Sequence, residues 1–154
     1  MSTTESTSRD TLKDLIQILH DGQQGFKKAS EDIKDSDLKT LFSKFSLQRS
    51  KFAGELEAEL SALGEEDAHK QGTTITGAAH RVWIDLKSAL TGKDNHAVLV
   101  EAERGEDAAV KTYTDALDEK ALPSSLRSII SRQAVEVKAA HDEVKALRDA
   151  FKKS

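Results

Sequence analysis

Glu101, Glu136 and His141 are the residues whose types and spacing come closest to metal chemistry. With a turn near Leu122, counting outward along two antiparallel helices brings Glu101 near the level of His141, and Glu136 lies little more than one turn away. Two carboxylates and an imidazole suit a divalent ion such as iron or manganese. The same placement suits a buried Glu101 paired to Arg104 or His141 that fixes helix register, and the ion pair is favoured over the metal. A dinuclear oxidase or ferroxidase centre needs more, namely a carboxylate from each of two helices and a Glu-x-x-His pair from each of the other two. The sequence has one Glu-x-x-His, Glu66 to His69, and it falls in a loop. Mid-helix positions hold Gln23 and Gln48, neutral amides that bring no charge to a trivalent ion.

The remaining polar candidates read mainly as structure. Gln133 sits on an apolar helical stripe and is expected to be a hydrogen-bonded core amide. Trp83 is expected to pack on the core, with a lid or partner-anchoring role as the alternative, and His80 one turn earlier reads as a surface or capping residue. His20 and His96 read as solvated. Glu103, Glu106 and Asp107 are spread around their helix, and most of them should face water. Gly105, within that run, marks a close approach by another helix or side chain, because glycine is costly in a helix interior. The sequence contains no Ser-His-Asp arrangement, phosphate-cradling glycine loop or cofactor fingerprint.

These residues must be positioned by helices. The 154-residue chain is long enough for one domain with a proper core. A single proline, eight glycines and 32% charged residues leave little material for turn-rich sheets and favour an all-α class. The net charge of −4 and the lack of a Lys/Arg cluster argue against nucleic acid as a partner. No window approaches the roughly 20 apolar residues of a membrane span, so cytosol is the expected compartment. There is no cysteine, which removes disulfides and thiolate ligands.

Residues 1–8 read as a disordered leader and 9–153 as one domain. Leu12, Leu15, Ile16, Leu19, Phe26 and Ile33 mark a first helix over about 9–34, interrupted by Gly22 and Gly25, whose small size can admit a bulky neighbour. Gln23 lies on its core stripe. After Asp35 to Asp37, Leu38, Phe42, Phe45, Phe52, Leu56 and Leu60 mark a second helix over 37–63, closed by Gly64, with Gln48 opposite Gln23. A shorter crossover helix is expected at 76–91, capped by Thr73 or Thr76. A third long helix spans 94–120 with a buried stripe of Val98, Glu101, Gly105, Ala108, Thr112 and Ala116, and Arg104 at its edge. Pro123 opens the last, at 123–152, where Leu126, Ile130, Gln133, Val137, Ala140, Val144, Leu147 and Phe151 keep a four-three rhythm. A hairpin, a long helical crossover between the second and third bundle helices, and another hairpin make a ferritin-like four-helix bundle.

Two stretches, HRVW at 80–83 and ERGED at 103–107, resemble signatures of a bacterial ferritin-like four-helix-bundle family of unknown function. The likeness extends, in matching order, to DGQQGF in the first helix, GTTITGAAHRVWIDLKSALTG in the crossover and HDEVKALRD near the end. It implies a ferritin-like fold in a bacterial cytosol and brings no activity, substrate or ligand set. The function expected is non-enzymatic binding, association or stress protection, with a homo-oligomer such as a dimer, or another protein, as partner. The alternative is divergent handling of iron or manganese.

Overall fold

A computed structural model describes residues 3–64, 83, 85–92 and 94–152. Among these residues the chain is all-α, with α1 at Thr3–Asp32, α2 at Ser36–Ala62, a short α3 at Leu86–Thr91, α4 at Asn95–Leu117 and α5 at Ser124–Lys152. None of the described helices is long and apolar enough to cross a membrane.

Local chemistry sets the helix ends. Asp35 caps α2 by accepting from the Leu38 amide at 3.0 Å, and Asp94 caps α4 by accepting from the amides of His96 and Ala97. Beyond α2, Gly64 takes φ 91°, a left-handed conformation that glycine adopts without a Cβ clash. Helices α1, α2 and α4 have no basic residue in their last turns, and other segments supply one to their carbonyls. Lys39 donates to Ser30 and Glu31, Arg9 to Leu63, and Arg127 to Leu117 and Glu119. Each cation meets the negative end of a helix dipole while tying two segments together.

Two apolar cores lie at opposite ends of the helices. One joins Leu12, Leu15, Ile16 and Leu19 of α1 to Phe52, Leu56 and Leu60 of α2, Ala109, Tyr113 and Ala116 of α4, and Leu126, Ile130 and Val137 of α5. The other joins Phe26 and Ile33 to Leu38, Phe42 and Phe45, Leu86 of α3, Val98, Leu99 and Ala102, and Ala140 and Val144. Late residues of both α2 and α4 share the first core with early residues of α1 and α5. Hence α2 and α4 point one way and α1 and α5 the other.

One boundary and one face differ from the sequence expectation. Helix α1 begins at Thr3, so most of the stretch read as a leader is helical; Glu5 suits its positive end, and buried Ser8 extends the stripe one turn ahead of Leu12. In α4 the face turned inward is Leu99, Ala102, Glu106, Ala109, Tyr113 and Ala116, together with Val98, Glu101 and Gly105. Ala108 and Thr112 lie only at its edge, and the Thr112 hydroxyl bonds back to the Ala108 carbonyl at 2.8 Å. Of the crossover helix expected at 76–91, the described part is Leu86–Thr91; Thr73, Thr76 and His80 lie outside the described residues.

Candidate functional site

Between the two cores lies a buried polar layer. On α2 the rhythm Leu38, Phe42, Phe45, Arg49, Phe52, Leu56 and Leu60 puts a cation in a core position. The Arg49 guanidinium grips Glu106 of α4 with two hydrogen bonds, Nη1 to Oε1 at 2.5 Å and Nη2 to Oε2 at 2.7 Å. Arg49 is 1% exposed and Glu106 0%. The third guanidinium position, Nε, donates to the Gln48 side chain at 3.2 Å, and the cation lies 5.4 Å from the centre of the Phe26 ring. The Arg49 side chain packs over Gly22, where a Cβ would stand 3.4 Å from the guanidinium, in ordinary contact.

Arg49 is not among the candidates named from sequence, and Glu106 is turned into the core rather than lying on the solvated face expected for most of its neighbouring carboxylates. The unbroken rhythm Leu99, Ala102, Glu106, Ala109, Tyr113, Ala116 was the available signal. Gln23 and Gln48 do not form a facing pair of core amides. Both are half-buried; the Gln23 backbone carbonyl accepts from the Ser46 hydroxyl at 3.0 Å, and the Gln48 side chain accepts from Arg49.

Two turns further along α4, the Tyr113 hydroxyl donates to Gln133 Oε1 at 2.7 Å, and Gln133 Nε2 donates to the Phe52 carbonyl at 3.3 Å and to Glu55 at 3.1 Å. Burial pushes the Tyr113 phenol well above its ordinary value, so it stays protonated and acts as a donor. For Glu55 burial works against ionisation, but hydrogen bonds from Arg132 and Gln133 outweigh it and hold the carboxyl below its usual range.

Trp83 covers one side of this layer. Its indole lies against Gly25 of α1 and Gly105 of α4; a Cβ on either would come within 2.4 Å of the ring. The Phe26 ring meets the indole edge-on, with centroids 5.2 Å apart. Two of the glycines in helix interiors, Gly25 and Gly105, are thus the two walls of one aromatic slot.

The three residues first considered for metal do not converge. Glu101 is buried beside Arg104, at 3.2 Å, and Arg104 also reaches Asp85 at 3.4 Å. Burial raises the Glu101 carboxyl above its ordinary value, with Arg104 opposing and Asp85 reinforcing the rise. Glu136 is exposed on α5. His141 faces Asp107, Nε2 to Oδ1 at 2.5 Å, and its Nδ1 lies 3.0 Å from Asp142. The contact between Asp107 and His141 puts Glu101 level with Leu147, about 9 Å along the helix from His141. The two helices face each other about Ser124 rather than Leu122, which accounts for about 6 Å of that separation.

What does converge, among the described residues, is Glu103, Asp107 and His141, whose ligand atoms all lie within 4.8 Å of one another. Glu103 is buried and bonded to Arg148; Asp107 is exposed and His141 half-buried. Arg104, at the edge of the expected stripe, is exposed, and Gln133 is fully buried. His20 is not solvated, since it pairs with Glu57 at 2.8 Å across α1 and α2. His96 is half-buried and lines a shallow groove between α3 and α4 with Asp85 and Glu101.

Residues 7–120 match a family described as a domain of unknown function, DUF2383. The chain belongs to the DUF2383 family. No curated protein matches it. The DUF2383 match runs from the first turns of α1 past the end of α4, so Arg49, Trp83, Gly105 and Glu106 fall inside it and Gln133 and His141 of α5 outside.

Proposed function

We propose that the chain is a ferritin-like four-helix bundle, with one long crossover between its second and third bundle helices, that works by binding or association rather than by turnover. The parallel course of α2 and α4 supports the crossover. A bacterial cytosol, implied by the sequence resemblance, belongs to the same proposal, as does a protective role under stress.

The observation that carries the non-enzymatic reading is the Arg49–Glu106 pair. Dinuclear ferritin-like centres are built in the bundle core from inward-pointing carboxylates and histidines. Here the middle of the core holds a fixed guanidinium whose carboxylate partner is already used on both oxygens. A metal pair would have to compete with that cation for Glu106 and bear its repulsion.

For association, a second copy of the chain is the partner proposed, and Leu47 of α2 and Val135 of α5, at 70% and 71% exposure, are the side chains at which contact is tested. Two measurements test the reading. Light scattering across a concentration series should show self-association that Leu47→Glu or Val135→Glu weakens, and aerobic Fe(II) should oxidise no faster than in protein-free buffer. A monomer at every concentration would remove the self-association reading. Catalytic iron turnover would remove the non-enzymatic one.

A second reading, handling of a divalent metal, has one observation in its favour, the convergence of Glu103, Asp107 and His141.

A further inference from the structure

We propose that Glu103, Asp107 and His141 form a mononuclear divalent-metal site on the seam between α4 and α5, outside the bundle core, with Arg148 as its built-in competitor. The inference rests on the metal-handling reading above and names the site and the ion. Glu103 and Asp107 are four residues apart on α4, so they share a face, and His141 comes from the facing helix α5. Zinc bonds to imidazole nitrogen and carboxylate oxygen run about 2.0–2.2 Å. Donor atoms already within 4.8 Å of one another can close on one ion by side-chain rotation alone.

The second nitrogen of His141 points to the same conclusion. Nδ1 lies 3.0 Å from Asp142, and Lys138 in turn holds Asp142 at 3.0 Å. With an ion on Nε2 in place of its proton, the Asp142 carboxylate on Nδ1 would supply the usual outer-shell support of a metal-ligating histidine. Nε2, the nitrogen left for the ion, is the one turned toward Asp107.

Arg148 bonds Glu103 and also reaches Asp149 at 2.8 Å. In the metal-free chain it neutralises part of the negative charge that would receive the ion. Metal must displace it from Glu103 or leave it on the outer oxygen, so the guanidinium weakens binding. One nitrogen and two carboxylates favour zinc and cobalt over manganese on the ordinary affinity order. The coordination is incomplete with three protein ligands, leaving a position for water or a small anion on the exposed side of Asp107.

The test uses the full chain stripped with chelator, titrated at neutral pH with Co(II) while visible absorption is followed, then with Zn(II) in competition. One cobalt per chain with a ligand-field spectrum is expected. His141→Gln should abolish it, Asp142→Asn should weaken it about tenfold through the outer shell, and Arg148→Gln should tighten it several-fold. A tightening cannot arise from misfolding, and far-ultraviolet circular dichroism checks that His141→Gln stays helical. Stoichiometric metal indifferent to His141→Gln but lost in Glu101→Gln would overturn this site and keep metal handling alive elsewhere on the molecule. No saturable binding of cobalt or zinc would overturn both.

Discussion

Arg49 and Glu106 meet across α2 and α4 in a two-pronged ion pair, 2.5 and 2.7 Å long, with both side chains withdrawn from water. The pair divides the two apolar cores and links helices whose direct packing elsewhere runs through other partners. Breaking it from one side leaves a buried charge with no counterion. Arg49→Met or Glu106→Leu is therefore expected to cost about 3–5 kcal/mol in urea unfolding, whereas the double substitution should restore most of the loss. Equal and additive losses in the two single variants would show that the charges are independent of each other.

Much of the architecture was legible because its causes are local. Asp35, Gly64, Asp94 and Pro123 mark helix ends through their own hydrogen bonding or backbone geometry, and the apolar stripes of α1, α2 and α5 keep their rhythm. Gly25 and Gly105 also announced a bulky neighbour. What they could not announce was that one indole fills both gaps, since that depends on two helices lying side by side. The metal candidates failed for a similar reason. Register between α4 and α5 depends on where the turn is centred, and an error of two residues there moves partners by about a full turn of helix. Arg49 was hidden by its charge, although its spacing was that of a core residue.

The aromatic slot sets up a comparison among three helical glycines. At Gly25 and Gly105 an added methyl would overlap Trp83, while at exposed Gly54 it would meet nothing within 4 Å. Gly54→Ala should stabilise the chain by about 0.5–1 kcal/mol through helix propensity alone. Gly25→Ala and Gly105→Ala should instead cost about 1–3 kcal/mol by overpacking, and should shift Trp83 emission to longer wavelength as the ring is pushed outward. Chemical denaturation with tryptophan fluorescence reads both effects in one experiment. Unchanged emission in both variants would show that the indole does not rest between these glycines.

His141 makes a pH-dependent strut between α4 and α5. Partial burial opposes its charge, but hydrogen bonds with Asp142 and Asp107 outweigh that and raise its pKa above the ordinary value. Asp142, hydrogen-bonded first to His141 and then to Lys138, is held below its usual range. A raised histidine contributes stability that is fully present below about pH 6.5 and is lost as pH rises through its folded-state value. The depressed Asp142 contributes above about pH 4, and loses that contribution as pH falls through its own folded-state value. The strut should thus be strongest between about pH 4 and 6.5. Urea midpoints of the wild type and His141→Gln, measured across pH, should differ most in that window and converge toward pH 9. Imidazole proton shifts in NMR locate the titration directly.

The Tyr113–Gln133 bond allows a cleaner separation of polar satisfaction from packing. Tyr113→Phe keeps the ring in the core but leaves Gln133 Oε1 without its donor in a fully buried setting. An unsatisfied buried acceptor costs about 1–3 kcal/mol, so the variant should unfold at lower urea concentration with an unchanged slope. Gln133→Leu strands the phenol in the same way and also gives up the contacts to Glu55 and the Phe52 carbonyl. Glu55 keeps Arg132 at 2.8 Å, so its charge is not abandoned. The Tyr113→Phe/Gln133→Leu double variant should consequently be less destabilised than the sum of the two single changes, because the stranded partners disappear together. A strictly additive cycle would mean that the hydroxyl and the amide find other partners when either is removed, and that the polar layer adapts rather than holding one arrangement.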